Sequence, residues 1–104
     1  MQQEQSLNLF NDDYFMREAF KEAQKAFEYA LKLKPRSAVA NNNLGNVYTA
    51  LERFDLAKKY YEKAIALRPK YINAMKNLGA VYFFTGEEEK AIELHLKVEK
   101  LISR

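Results

Sequence analysis

The 104-residue sequence has no cysteine, no tryptophan, one histidine, three glycines and two prolines. Without cysteine the chain has neither disulfides nor thiolate metal ligands, and His95 alone has no partner at zinc-ligand spacing. So few glycines leave no glycine-rich loop to hold a phosphate, and no pattern of nucleophile and base is present. We therefore expect no enzyme activity, no cofactor and no metal.

The sequence also lacks long apolar runs and a strong net charge. No run approaches the roughly 20 residues of a membrane span, and the start is polar and glutamine-rich, unlike a signal peptide. The net charge is +3, and the basic stretch of Lys58, Lys59 and Lys63 is interrupted by Glu62. A solvated helix face explains this stretch better than nucleic-acid binding, which needs a denser basic stripe with aromatic platforms. We expect neither a membrane nor a nucleic-acid partner, and we expect the cytoplasm as the compartment.

What the sequence does contain is a period of 34 residues. Gly45 recurs as Gly79, and Pro35 recurs as Pro69. The other matching positions are Leu44 and Leu78; Tyr14, Tyr48 and Tyr82; Ala23, Ala57 and Ala91; and Phe27, Tyr61 and His95. A fixed period of this length is typical of a stacked array of repeated units. Such arrays expose long surfaces, which favours binding over catalysis.

Each period carries the same pattern of residues. The middle copy consists of Asn41, Leu44, Gly45, Tyr48, Ala57, Tyr61, Ala64 and Pro69. The third consists of Met75, Leu78, Gly79, Tyr82, Ala91, His95 and Val98, with Ser103 at the proline position. The first consists of Leu7, Phe10, Asn11, Tyr14, Ala23, Phe27, Ala30 and Pro35, with Asn11 at the glycine position. This pattern resembles the tetratricopeptide repeat, with Asn41 in place of the opening tryptophan.

The resemblance implies an all-α fold, an α-solenoid of three helix-turn-helix units in a right-handed superhelical stack. We expect the chain to form one domain over residues 1–104, with repeats of about 4–37, 38–71 and 72–104. The apolar spacing and the two prolines predict six helices, over about 5–17, 20–34, 38–51, 54–68, 72–84 and 88–102. No strong helix breaker lies between Asp13 and Leu33, so local propensity alone allows one continuous helix there. We predict the hairpin from the repeat register; an opened first hairpin exchanged between chains would give a domain-swapped dimer.

In the family, the first helix of each repeat lines a concave groove that binds an extended peptide or a partner helix. The residues that we predict for this site are Asn8, Asp12, Asn42, Asn43, Asn46, Asn73, Lys76, Asn77 and Phe83. An asparagine side chain carries both a donor and an acceptor, so it can pair with both groups of a peptide unit. Asn43 and Asn77 match the asparagine ladder of repeats that resemble those of O-linked GlcNAc transferases. The alternative is a solvated polar face.

A second family mode is the dicarboxylate clamp, which holds an acidic C-terminal tail. Asn43 matches its central asparagine, but Asn73 and Asn77 stand where the clamp has lysine and arginine, and Asp12 would repel a carboxylate. Without these cations the charge-assisted hydrogen bonds are lost. We therefore predict that the clamp is absent.

The last helix presents a different possibility. It carries apolar residues at Leu94, Leu96, Val98, Leu101 and Ile102, although the end of a solenoid needs a polar cap. Of these, Leu94, Val98, Leu101 and Ile102 are the residues that we predict for self-association. The alternative function is a self-associating structural scaffold, a homo-oligomer formed through this uncapped helix or through a swapped first hairpin. An excised fragment of a longer array or an engineered repeat protein would show the same end. We also expect His95 to pack as an aromatic substitute. At least one of Phe83 and Phe84 should be exposed, or should pack against an element beyond its own hairpin.

Overall fold

The part of the chain that the computed structural model describes folds into five α-helices: α1 (Gln2–Leu33), α2 (Ala38–Ala50), α3 (Phe54–Leu67), α4 (Ile72–Phe84) and α5 (Glu88–Ile102). The structure describes the backbone of residues 2–103 and the side chains of residues 15–103. No strand occurs in this part, and none of its helices is long and apolar enough to cross a membrane. Consecutive helices pack against each other, as expected for an all-α repeat stack.

Local side-chain chemistry sets the start of α2. Ser37 is its N-cap, and the Ser37 Oγ accepts a 3.1 Å hydrogen bond from the Ala40 amide. Asn41, at the position of the repeat's opening aromatic residue, is buried and donates a 2.8 Å hydrogen bond from Nδ2 to the Ser37 carbonyl. An N-cap satisfies amides that have no partner within the helix. The unusual asparagine therefore has a structural role at the helix start.

Two turns of the same shape separate α2 from α3 and α4 from α5. Glu52 and Gly86, which stand 34 residues apart, adopt left-handed φ values of 61° and 80°. The amides of Arg53 and Glu87 each donate a 2.8 Å hydrogen bond to the carbonyl five residues earlier. Gly86 adopts this conformation without strain, whereas Glu52 does so at an energetic cost. The period thus extends to the backbone geometry of the turns.

The first repeat differs from the prediction. The two helices expected over about 5–17 and 20–34 are one continuous helix, α1, so the described part has five helices rather than six. Glu18 stands at the repeat position of Glu52 and Gly86, but Arg17, Glu18 and Ala19 are all compatible with helix and none of them breaks it. Helix propensity therefore overrides the repeat register here. The other four helices lie within one residue of the predicted bounds.

The core lies between the paired helices of the second and third repeats. It is formed by Val81 and by the repeat-signature residues Leu44, Tyr48, Ala57, Tyr61, Leu78, Tyr82 and Ala91. Small side chains let the helix axes approach, and the tyrosine rings fill the space between them. The phenol groups bind carboxylates: the Tyr48 hydroxyl donates to Glu28 Oε2 at 2.8 Å, and the Tyr82 hydroxyl donates to Glu62 Oε2 at 3.1 Å. Burial and these neighbouring carboxylates raise the pKa of Tyr48 and of Tyr82 to about 12.

Candidate functional site

Three of the predicted asparagines meet in one hydrogen-bonded cluster between α2 and α4. The Asn77 Nδ2 donates to the Asn42 Oδ1 at 3.2 Å and to the Asn46 Oδ1 at 3.1 Å. The Tyr61 hydroxyl, from α3, donates to the same Asn46 oxygen at 2.6 Å. We call Asn42, Asn46 and Asn77 the asparagine cluster. The cluster joins α2 to α4, and its bond with Tyr61 adds α3, so its members have a structural role in addition to any contact with a partner.

Burial controls the chemistry of the tyrosine beneath this cluster. The Tyr61 ring is almost fully buried, and this burial raises the pKa of its phenol; a hydrogen bond with Thr49 opposes the shift. The phenol therefore stays protonated at neutral pH and remains a donor. Because the Tyr61 hydroxyl donates a hydrogen bond to Asn46, it fixes the Asn46 side chain from the α3 side of the cluster.

The remaining predicted residues of this surface are more open. Asn43 is half-buried and makes no side-chain hydrogen bond to any residue whose side chain is described. Asn73 and Lys76 are exposed on α4. The side chains of Asn8 and Asp12 lie outside the described residues. Asn43 thus has both its donor and its acceptor available, and Asn77 keeps its carbonyl oxygen.

An apolar cleft of about 390 Å³ opens between α4 and α5, and we call it the α4–α5 cleft. The residues that line it are Met75, Lys76, Gly79, Ala80, Phe83, Ala91, Ile92, His95 and Val98. Lys76 and Phe83, both predicted for the groove, lie at this cleft. The cleft therefore continues the predicted binding surface towards the end of α4.

A comparison of the two complete repeats shows why this cleft is open. A Cβ atom on Gly45 would lie 2.6 Å from the Tyr61 ring, whereas a Cβ on Gly79 would have no atom within 4 Å. His95 has the repeat position of Tyr61, but its side chain is 70% exposed and its Nε2 lies 3.3 Å from Glu99 Oε2. The expectation that His95 packs like its aromatic counterparts is wrong, because the polar imidazole is directed to solvent and to Glu99. No side-chain ring fills the space beside Gly79.

The two adjacent phenylalanines of α4 are both exposed, at 61% for Phe83 and 76% for Phe84. They have different surroundings. The Phe84 ring stacks on Phe54 of α3, with centroids 5.8 Å apart and an angle of 11° between the planes. Phe83 instead borders the α4–α5 cleft. The expectation that at least one of them is exposed or packs beyond its own hairpin is confirmed, since both are exposed and Phe84 also packs on α3. Phe83 is the one that belongs to the candidate site.

The predicted self-association surface on α5 is only partly at the surface. Val98 is buried against the neighbouring helix, which corrects its assignment to this surface: a valine at this helix position faces α4. Leu94 and Leu101 are half-buried, and Ile102 is exposed. Leu96, one of the predicted apolar residues of this helix, and Ile92, which the prediction did not include, are more than half exposed. They follow each other at the spacing of one helix face. We call Ile92, Leu96 and Ile102 the exposed α5 residues.

The sequence reasoning missed the cleft because Met75, Gly79 and Ala91 were assigned to the scaffold. The signal that indicates it is His95, the only member of its register that is not a phenylalanine or tyrosine. Within the described residues, no group of three or more histidine, aspartate or glutamate side chains is placed to hold a metal ion.

Comparison with known proteins assigns this architecture. Residues 36–102 match the family profile of the tetratricopeptide repeat. A crystal structure of MamA is similar, with 30% identity and a TM-score of 0.78 over 84% of this chain and 51% of that one. MamA from Desulfovibrio magneticus RS-1 has 25% identity and a TM-score of 0.78, over 85% of this chain and 49% of that one. This chain thus spans about half the length of those MamA chains.

A third similar structure contains a ligand. It is the first TPR of Spaghetti (RPAP3) bound to the HSP90 peptide SRMEEVD, with 25% identity and a TM-score of 0.79. The match covers 88% of this chain and 72% of that chain. No curated protein matches the chain in sequence.

Proposed function

Because the chain belongs to the tetratricopeptide repeat family, we propose that it is a non-catalytic protein-interaction module whose groove binds an extended peptide. The binding surface of this proposal comprises Asn43, the asparagine cluster and the α4–α5 cleft. The observation that carries it is the direct contact of Asn77 with Asn42 and Asn46, since this contact makes one continuous surface of α2 and α4. The module is a single domain over residues 1–104 in this proposal. A partner helix in the same groove is an alternative form of the ligand.

The asparagines would bind the main chain of the peptide. Asn43 offers a donor and an acceptor. Asn77 offers its side-chain carbonyl oxygen, because its two hydrogen bonds use only Nδ2. A peptide in extended conformation presents N–H and C=O groups that such side chains can pair with, whatever its sequence. The asparagine cluster and Tyr61 hold Asn77 in place, so little conformational freedom is lost on binding.

The α4–α5 cleft would select one side chain of the peptide. In the second repeat, the equivalent space beside Gly45 is filled by the ring of Tyr61. A space of that shape beside Gly79, with Met75, Phe83 and Val98 around it, suits an aromatic or branched aliphatic side chain. Burial of such a side chain contributes roughly 1.5–3 kcal/mol. The cleft therefore supplies affinity and sequence preference, whereas the asparagines bind the peptide main chain independently of its sequence.

The HSP90 peptide of the RPAP3 structure, SRMEEVD, has three acidic residues among its last four. This chain has Asn73 and Asn77 at positions where the dicarboxylate clamp requires cations, so the charge-assisted hydrogen bonds to a C-terminal carboxylate are missing. We expect SRMEEVD to bind weakly or not at all. The partner in this proposal differs from that peptide because it carries an apolar side chain for the cleft and needs no acidic C-terminus.

The test is selection from a random peptide library displayed on phage, followed by calorimetric titration of the enriched peptides. We expect the enriched peptides to share one aromatic or branched aliphatic residue and to have no required acidic C-terminus. The double variant Asn43→Ala with Asn77→Ala should bind them at least about tenfold more weakly, a loss of about 1.4 kcal/mol. Lys100→Ala, at an exposed residue in the last turn of α5, is the control and should bind normally. Equal affinity of the double variant, or no enrichment at all, would reject the proposal.

The exposed α5 residues favour a second candidate function, a scaffold in which molecules stack end to end. Ile92, Leu96 and Ile102 are each more than half exposed, and an exposed apolar patch marks interaction sites. A head-to-tail contact whose rotation does not close into a ring gives open chains of growing mass. Replacement of Ile92 and Leu96 by lysine should abolish such growth in sedimentation velocity. If the unmodified protein shows one discrete mass at every concentration, this candidate is excluded.

A further inference from the structure

One set of four positions on the second helix of a repeat receives the next helix of the stack. On α3 these positions hold Phe54, Lys58, Glu62 and Ile65, which contact α4, the turn after it or the core. Glu62 accepts a hydrogen bond from the Tyr82 hydroxyl of α4. One period earlier, Glu28 of α1 accepts a hydrogen bond from the Tyr48 hydroxyl of α2. This set is therefore the face on which one repeat joins the next.

The same four positions on α5 are inverted in polarity. They hold Glu88, Ile92, Leu96 and Glu99, all of them exposed, and we call them the α5 end face. The first two repeats have apolar residues at the ends of this set and polar residues in its middle. On α5 the glutamates stand at the ends and the aliphatic side chains in the middle. A further helix with the tyrosine of α2 and α4 would bury its hydroxyl against Leu96, where no acceptor is present.

The complement of such a face is a helix with two apolar residues between two cations, and the chain carries this pattern itself. The pattern consists of Lys25, Tyr29, Leu33 and Arg36, which we call the α1 outer face. These residues have the spacing of the α5 end face, i, i+4, i+8 and i+11. The first three share one side of α1, and Arg36 lies in the turn that follows the helix. All four are exposed, Tyr29 at 64% and Leu33 at 66%.

Within the part of the chain that the structure describes, other elements pack on the far sides of these two helices. α1 contacts α2 and the core through Glu28 and Leu31, on the side of the helix away from Tyr29. α5 buries Ala91 and Val98 towards α4, on the side away from Leu96. Both faces are therefore accessible to a second molecule.

The charges of the two faces have only exposed local partners. Lys25 Nζ lies 3.7 Å from Glu22 Oε2, and Glu99 Oε2 lies 3.3 Å from His95 Nε2. Exposed pairs of this kind contribute little to stability. Arg36 and Glu88 form no ion pair with any described residue. Each face can therefore take a new partner of opposite charge at small cost.

We propose that the α5 end face of one copy packs antiparallel on the α1 outer face of the next copy. This inference rests on the second candidate function, the end-to-end scaffold, and names the surface that receives α5. The two sets of spacings give the register, which pairs Glu88 with Arg36, Ile92 with Leu33, Leu96 with Tyr29 and Glu99 with Lys25. Two ion pairs thus enclose two apolar contacts, and complementary charge fixes the register of such a contact.

Charge disfavours the alternative in which two α5 helices face each other. An antiparallel pair of α5 end faces sets Glu88 of each copy opposite Glu99 of the other, and facing like charges repel. The contact from α5 to α1 joins two different surfaces instead, so each added copy leaves one of each free. One helix face of about 12 residues on each side is smaller than a stable interface of about 20–30 residues. We therefore expect weak association that rises with concentration and falls with salt.

Charge reversal tests this register in sedimentation velocity. Glu88→Lys with Glu99→Lys sets cations against cations and should weaken the association at least about tenfold. Lys25→Glu with Arg36→Glu sets carboxylates against carboxylates and should weaken it to a similar extent. The variant with all four substitutions has opposite charges again, with their signs exchanged and the net charge unaltered. It should associate as the unmodified protein does.

The matched control is Lys59→Glu with Lys70→Glu. These exposed residues stand 34 positions after Lys25 and Arg36, so the control changes the net charge equally at the corresponding positions of the second repeat. It should associate normally. Association that survives either reversal, or that the four substitutions together do not restore, would overturn this register and leave the scaffold to another surface. An unmodified protein with one discrete mass at every concentration would overturn both.

Disulfide trapping tests the contact by position, since the chain has no cysteine. A mixture of the Leu96→Cys and Tyr29→Cys variants should give a covalent dimer on mild oxidation, because these positions face each other within disulfide reach. Each variant alone should stay uncoupled on a non-reducing gel. Lys63→Cys, exposed one period after Tyr29, is the control partner and should not couple to Leu96→Cys. Coupling of Leu96→Cys to itself, or no coupling in the mixture, would contradict the proposal.

Discussion

Lys58 of α3 and Glu87, the residue before α5, form an ion pair with 2.7 Å between Nζ and Oε2. Glu87 also accepts hydrogen bonds from the Thr85 hydroxyl at 2.8 Å and from Lys90 Nζ at 3.3 Å. The hydrogen bond from Lys58, followed by those from Thr85 and Lys90, lowers the pKa of Glu87 from 4.5 to about 2. One carboxylate thus joins the second repeat to the turn of the third.

The stability of the protein should depend on this carboxylate in a defined pH window. A pKa that is lower in the folded than in the unfolded state means that the ionised form favours folding. The stabilisation by Glu87 is complete at pH values above the unfolded pKa of 4.5. It is lost as the pH falls towards the folded pKa of about 2. Glu87→Gln should therefore lower the melting temperature at neutral pH, and the difference from the unmodified protein should shrink as the pH falls through that window. Glu88→Gln, exposed in the first turn of α5, is the control. A difference that does not change with pH would contradict this assignment.

Alanine at the two helix glycines of the second and third repeats should have opposite effects. Gly45→Ala places a Cβ 2.6 Å from the buried Tyr61 ring, which cannot move away, so we expect a loss of about 1–3 kcal/mol. Gly79→Ala adds a Cβ in open space, and the better helix propensity of alanine should stabilise α4 by up to about 1 kcal/mol. Urea unfolding of the two variants measures both changes. Shifts of the same sign would show that the two glycine sites do not differ.

Restoring the ring at position 95 should close the α4–α5 cleft. In His95→Tyr we expect the ring to pack beside Gly79 and raise the free energy of unfolding by roughly 1–2 kcal/mol. Affinity for peptides with an apolar anchor should fall in the same variant. His95→Gln remains polar and should change neither property.

A double-mutant cycle confirms where the new ring packs. Gly79→Ala is harmless in the unmodified protein but should be costly once Tyr occupies position 95, with a coupling of about 0.5–3 kcal/mol. If the effects of the two substitutions on the free energy of unfolding are additive, the tyrosine stays in solvent. The cleft is then not the counterpart of the space beside Gly45 that the Tyr61 ring fills.

The fold of the second and third repeats could be predicted from the sequence because several independent signals agree there. The period, the prolines and the apolar spacing all indicate the same four helices, and the bounds agree within one residue. In the first repeat the signals conflict. The register indicates a turn at Glu18, whereas local propensity indicates helix, and nothing in a single sequence weighs one against the other. Glu52, also a glutamate, does turn at the equivalent position, so residue type alone does not decide.

The candidate site was predictable only at the level of which helices present it. The repeat offset places Asn43 and Asn77 at equivalent positions, but it does not show that Asn77 binds Asn42 and Asn46, because that depends on side-chain rotamers. The α4–α5 cleft arises from the outward rotamer of His95, which the register assigned to the interior. A repeat pattern gives each position an average environment. A residue that departs from its own register therefore needs the structure.

The Tyr61 hydroxyl should matter for the site as well as for stability. Tyr61→Phe keeps the ring beside Gly45 but removes the 2.6 Å hydrogen bond to Asn46, so the Asn46 Oδ1 loses one of its two donors. We expect a loss of about 0.5–1.5 kcal/mol in the free energy of unfolding. Peptide affinity should also fall several-fold, because Asn46 no longer holds Asn77 in one orientation. Tyr29→Phe alters an exposed phenol and should leave both quantities unchanged. Lower stability with unaltered peptide affinity would show that the asparagine cluster supports the fold without ordering the binding surface.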